Sequence, residues 1–153
     1  MTVRYIDPFL ESAQMVIEQV CNISPTRGEV LIKDVQLEKD HLWIKIGVIG
    51  QLEGDIIFGL HEQVALRIIS AMMGGFSITE IDEIGRSAIS ELGNMISGNA
   101  SNLLFNQGVN IDITPPMILA TEDMEINHGT AYTVPLHLED IGQFHMQVIN
   151  LKP

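Results

Sequence analysis

Ser87, Glu91 and Asn94 stand four and three residues apart in the segment GRSAISELGNMISGNASNLL, residues 85–104. At 100° per residue a helix gathers this hydroxyl, carboxylate and amide within about 60° of arc. Such a face suits the docking of a partner, and it equally suits plain contact with water. Spacing alone favours the solvated face. Composition pulls the other way, because Ser87, Ser90, Gly93, Asn94, Ser97, Gly98, Asn99, Ser101 and Asn102 crowd one helix where better helix formers would serve a wet surface.

Other chemistries find little support. No glycine-flanked serine elbow and no phosphate-cradling loop ending in lysine occurs. Cys21 is the only cysteine, and its place in an apolar helical pattern marks it as a small core hydrophobe. The histidines His41, His61, His128, His137 and His145 lack the close spacing of a helical metal pair, so no metal site is expected. His137 and His145 fall where adjacent strands would make them polar neighbours.

Eight basic residues against twenty acidic ones give a net charge of −12. Affinity for a polyanion rests on lysine and arginine, so nucleic acid is excluded as a partner and a cationic contact is favoured. No apolar run is long enough to span a bilayer. The N-terminal MTVRYIDPFL carries no secretory pattern, which predicts a cytoplasmic protein. With 153 residues, 46% hydrophobic and 18% charged, the chain predicts one globular domain over residues 1–153.

Hydrophobic periodicity supplies the elements that must position the candidate face. An amphipathic helix is predicted from Pro8 to Cys21, followed by three strand-like runs between Gly28 and Leu60 that read as a meander. HEQVALRIISAMM reads as a second helix closed by Gly74 and Gly75. The long third helix is predicted from Thr79 to about Phe105. Its core stripe is Ile81, Ile84, Ala88, Leu92, Met95, Ile96 and Leu103, and a second line carries Ser87, Glu91, Asn94, Gly98 and Ser101. Gly98 would let another backbone approach. Three more strands follow in NIDITPPMILA, GTAYTVPLHL and GQFHMQVINL. The fold class is therefore α+β, two helix-plus-three-strand halves forming an antiparallel-rich sheet packed by long helices. ESAQM at residues 11–15 and ELGNM at residues 91–95 echo that duplication.

ALRIISAMMGG, SAISELGNMISG and NIDITPP, in this order and spacing, resemble the CheC/CheX/FliY family of chemotaxis phosphatases. The family motif runs Asp or Ser, three residues, Glu, two residues, Asn, and a proline just over twenty residues later; Ser87, Glu91, Asn94 and Pro116 fill those positions. The likeness is strongest from Ile56 to Met117.

The resemblance implies a homodimer that hydrolyses the phosphoaspartate of a CheY-type response regulator. Asn94 would orient the attacking water, Glu91 would pair with a receiver-domain lysine, and Ser87, Gly98, Ser101 and Pro116 would shape the contact. No cofactor is implied in this chain; Mg²⁺ is expected in the partner receiver domain. Asp7, Glu11 and Gln14 repeat the motif spacing in the first helix without a matching downstream proline, which reads as a vestige of duplication. The alternative is a non-catalytic binding module resembling flagellar-switch proteins, since fold does not settle activity.

Overall fold

The computed structural model describes residues 2–120 and 129–153. Helix α1 (Thr2–Cys21) is followed by strands β1 (Thr26–Arg27), β2 (Leu31–Asp34), β3 (His41–Gly50) and β4 (Glu53–His61). Helices α2 (Glu62–Met72) and α3 (Glu83–Asn106) come next, then β5 (Ile111–Ile113), β6 (Met117–Ile118), β7 (Thr130–Leu138) and β8 (Gly142–Lys152). The expected α+β fold with an antiparallel sheet is the one observed. His128 lies outside the described residues.

The expected three-stranded meander is only partly present. β3 and β4 do form a hairpin, but the run before them does not join it. β1 and β2 pair with β7, while β5 and β6 pair with β3, giving the order β1-β7-β8-β4-β3-β5 with every pairing antiparallel. Each half lends its first strands to the hairpin of the other half. That exchange makes the two halves one sheet, with β4 and β8 at its centre.

Alternation along the central strands explains the register. Ile44, Ile46, Ile56, Phe58, Leu60, Val134, Leu136, Phe144, Met146 and Val148 all turn inward and are buried with residues of all three helices. A one-residue slip would carry this set to solvent, and fully burying each side chain is worth about 1.5–3 kcal/mol. The opposite, outer face buries a smaller group, Trp43, Ile57, Leu119, Ala131 and Ile149, under Val35 and Leu37.

The helices match their sequence signals with two shifts. α1 begins at Thr2, well before Pro8, which therefore lies inside the helix and costs it one i→i−4 bond. α3 begins at Glu83 rather than Thr79, since Asp82 caps it by accepting from the Gly85 N–H at 2.8 Å. α2 ends as expected: Gly74 and Gly75 have φ of 87° and 90°, and the Gly75 N–H reaches the Ser70 carbonyl.

Candidate functional site

The core stripe of α3 is rotated from the expected one. Ile89, Leu92, Ile96, Ala100 and Leu104 are buried together with Gly85, Gly93 and Ser97, whereas Ile84 is 61% exposed and Leu103 is half-buried. Ile81 precedes the helix. Small residues account for the rotation. A Cβ on Gly93 would stand 3.3 Å from Ile44 Cγ2 and 3.9 Å from Pro116 Cβ. Ser97, one turn on, donates its hydroxyl to the Gly93 carbonyl at 2.8 Å. Part of the excess of poor helix formers therefore serves close helix-to-sheet packing rather than docking.

The same close approach brings the β5–β6 corner to α3. The Thr114 N–H donates to the Gly47 carbonyl at 2.9 Å, and the Gly47 N–H donates to Thr114 Oγ1 at 2.7 Å. Pro115 and Pro116 bring no N–H of their own, so the strand is interrupted there and resumes at Met117 opposite Lys45. The corner is thus fixed to β3 from both sides.

Between α3 and this corner lies an open groove of about 660 Å³. It joins Ser87, Glu91, Asn94 and Pro116, four of the residues singled out from sequence. Ser87, Glu91 and Asn94 are exposed. Among the described residues none of their side chains has a hydrogen-bond or ion-pair partner. A hydroxyl, a carboxylate and an amide thus face the groove with their bonding capacity unspent.

Gly98 and Ser101 lie further along α3 and do not line the groove. Space beside Gly98 is open, with no atom of the described residues within 4 Å of a Cβ built there, so no backbone among the described residues uses it. The sequence reading missed Arg86, Ser90 and Thr114, which also line the groove. Ser90 was legible as the residue three from Ser87 and four from Asn94, and Arg86 as the residue four before Ser90. Thr114 was not, since its role depends on the pairing of β5 with β3.

The echo in α1 has a different fate. Gln14 donates through Nε2 to the Pro25 carbonyl at 3.1 Å and accepts at Oε1 from Arg27 Nε at 2.6 Å. Arg27 also reaches Asp7 Oδ1 at 3.3 Å. The amide that corresponds to Asn94 in spacing is therefore spent inside the chain, and the Arg27 guanidinium lies between it and Asp7.

Elsewhere, burial pushes the Cys21 thiol up from its ordinary value, and its side chain packs against the main core, as a small hydrophobe does. His145 faces Pro135 across β7, while His137 faces Gln143. Burial pushes His145 down, with nearby His41 adding to the effect. The hydrogen bond from His41 holds the Asp40 carboxyl below the usual carboxylate range.

Two halves that exchange their leading strands, with an open groove beside one long helix, define a protein of the CheC-like class. A solved CheC-like superfamily protein from Shewanella sp. PV-4 superposes with a TM-score of 0.81 at 26% identity, covering 100% of both chains. The sequence matches the family Chemotaxis phosphatase CheX over residues 43–137. It is also 31% identical over 152 residues to the CheY-P phosphatase CheX of Thermotoga maritima, covering 97% of each chain. The chain belongs to the CheX family. The fold recurs in the CheX of a CheX-CheY-BeF3-Mg complex from Borrelia burgdorferi, with a TM-score of 0.76 at 24% identity over 97% of this chain and 98% of that one. Among the described residues no helix is long and apolar enough to cross a membrane.

Proposed function

We propose that this chain hydrolyses the phosphoaspartate of a CheY-type response regulator, using the α3 groove as the docking and catalytic face. The observation that carries the reading is the unspent trio of Ser87, Glu91 and Asn94 in a groove closed on one side by Pro116. Membership of the CheX family supports the reaction, as does the printed activity of the Thermotoga relative. The Borrelia complex supports the choice of partner.

The chemistry asks little of this chain. An acyl phosphate is held by its own receiver domain, which supplies the Mg²⁺, and it lacks only a water placed in line with the scissile P–O bond. Attack forms one P–O bond and breaks the bond to the aspartyl carboxylate, releasing inorganic phosphate. Asn94 both donates and accepts hydrogen bonds, so it can hold that water. Its amide takes up no proton at neutral pH, which makes its role one of positioning. Glu91, one turn back, pairs with a lysine of the receiver, consistent with the acidity of the whole chain. Ser87 and Pro116 shape the near side of the contact; Gly98 and Ser101 extend it along α3, where the open space at Gly98 admits a partner backbone. The α1 face takes no part, because Arg27 and Pro25 occupy Gln14.

A homodimer fits this reading. Among the described residues β2 pairs only with β7, and Val30, Leu31 and Ile32 are exposed beside it. An apolar open edge of this kind needs cover.

The test is phosphate release from a phosphorylated CheY-type regulator with and without this protein. Acceleration supports the phosphatase. Binding of the phosphorylated regulator with no gain in rate would assign the chain to the non-catalytic binding modules instead.

A further inference from the structure

The segment from β2 to β3 crosses the outer face of the sheet and ends in a turn that sets two carboxylates around one imidazole. Asp40 Oδ1 lies 2.8 Å from His41 Nδ1, and Glu38 Oε2 lies 3.6 Å from the same nitrogen. One ligand atom from each of the three residues falls within 4.8 Å of the other two. We propose that Glu38, Asp40 and His41 form a binding site for a first-row divalent transition ion of the Zn²⁺ class, separate from the α3 groove.

The spacing suits a coordination shell. Bonds of about 2.0–2.2 Å meeting at 90–110° separate neighbouring ligand atoms by about 2.8–3.6 Å, the interval the two distances span. Two carboxylates offset the charge of a divalent ion. The imidazole favours Zn²⁺ or Co²⁺ over Mg²⁺ or Ca²⁺, which prefer oxygen alone. An imidazole binds a metal through a nitrogen that carries no proton, so binding at His41 Nδ1 competes with protons.

The ligands are held in place through their main chains. The Glu38 carbonyl accepts from the Trp43 indole N–H at 2.8 Å, and the Asp40 carbonyl accepts from the Glu62 N–H at 3.0 Å. The Trp43 ring lies directly over Gly59, where a Cβ would come within 1.9 Å of it. The His41 ring stacks on Trp43, with centroids 5.3 Å apart and planes 16° from parallel. The His41 side chain is only 10% exposed, whereas those of both acids reach solvent. Water and an ion can therefore enter from the acid side.

An outer layer supports Asp40. Its second oxygen, Oδ2, lies 3.2 Å from His61 Nε2. His61 caps α2 by accepting the Gln63 N–H at Nδ1, 3.0 Å away, and that bond leaves the proton of the neutral ring on Nε2, facing Asp40. His61 is thus a positioning residue that orients a ligand carboxylate, and removing such support typically costs 10–100-fold in metal affinity.

The test is titration of tag-free, chelator-treated full-length protein with Co²⁺, read by visible absorption, and with Zn²⁺, read by calorimetry. One equivalent is expected per chain. His41→Ala should weaken Zn²⁺ binding at least about 100-fold, and the exposed pair Glu38→Gln with Asp40→Asn should do the same without touching the core. His61→Gln should weaken it about 10–100-fold, and His137→Ala should leave it unchanged. Affinity no tighter than millimolar, equal affinity for Mg²⁺, or Zn²⁺ binding that survives both ligand variants would overturn the site.

Discussion

Gly93→Ala asks whether the separation of α3 from the Pro116 corner controls the rate. The added methyl would stand 3.3 Å from Ile44 Cγ2, 3.6 Å from Ile46 Cδ1 and 3.9 Å from Pro116 Cβ. Ile44 and Ile46 are buried in the centre of the core, so α3 must take up part of a shift of a few tenths of an ångström. Two effects on stability oppose each other. Alanine is the better helix former by about 1 kcal/mol, while overpacking a filled core costs about 1–3 kcal/mol. The net loss is about 0–2 kcal/mol, which lowers the Tm by no more than about 8 °C for a chain of this size. Catalysis is more sensitive: if a 1 Å misplacement costs about 100-fold, a few tenths cost about three- to tenfold. Single-turnover phosphate release, regulator affinity and a thermal melt on the same preparation separate these effects. A slower rate with affinity and fold retained is the expected result. An unchanged rate, or a rate loss accompanied by a collapse of the Tm, would refute the argument that this spacing positions Asn94.

Glu91→Ala should weaken regulator binding about tenfold or more at low ionic strength, and the difference from the native protein should shrink as salt is added; a salt-independent defect would remove the lysine pairing. Gln14→Ala should keep the dephosphorylation rate within about twofold while costing about 1 kcal/mol of stability, since it breaks bonds to Pro25 and Arg27. A large rate loss would make α1 a second working face. Light scattering at micromolar protein should give twice 16.9 kDa, and a monomer mass would leave the open edge of β2 without its proposed cover.

Much of the site was legible because helix geometry is local. Ser87, Glu91 and Asn94 share a face by spacing alone, and the structure adds that their side chains are unspent. Pro116 came from the family motif; it comes beside α3 because β5 and β6 pair with β3 on either side of it. The start of α3 was misplaced because acids at residues 80, 82 and 83 all suit a first turn, and only the cap geometry at Asp82 selects one. Strand exchange between halves was not legible, since β2 could pair with β3 or β7 on periodicity alone and the choice is made by packing across the duplicated fold. The Glu38, Asp40 and His41 cluster escaped notice for a related reason. Helical histidine spacing does not reveal it, because the support from His61 comes through the β3–β4 register, in which His41 faces His61.

Phosphate release by Asn94→Ala tests the central claim most directly. Asn94 is exposed and has no side-chain partner among the described residues, so the variant should fold and bind the phosphorylated regulator nearly as the native chain does. With water positioning gone, the catalysed rate should fall about 100-fold, or to the regulator's own rate if that is reached first. Native-like phosphate release by Asn94→Ala, on a regulator that the native protein demonstrably dephosphorylates, would contradict the mechanism.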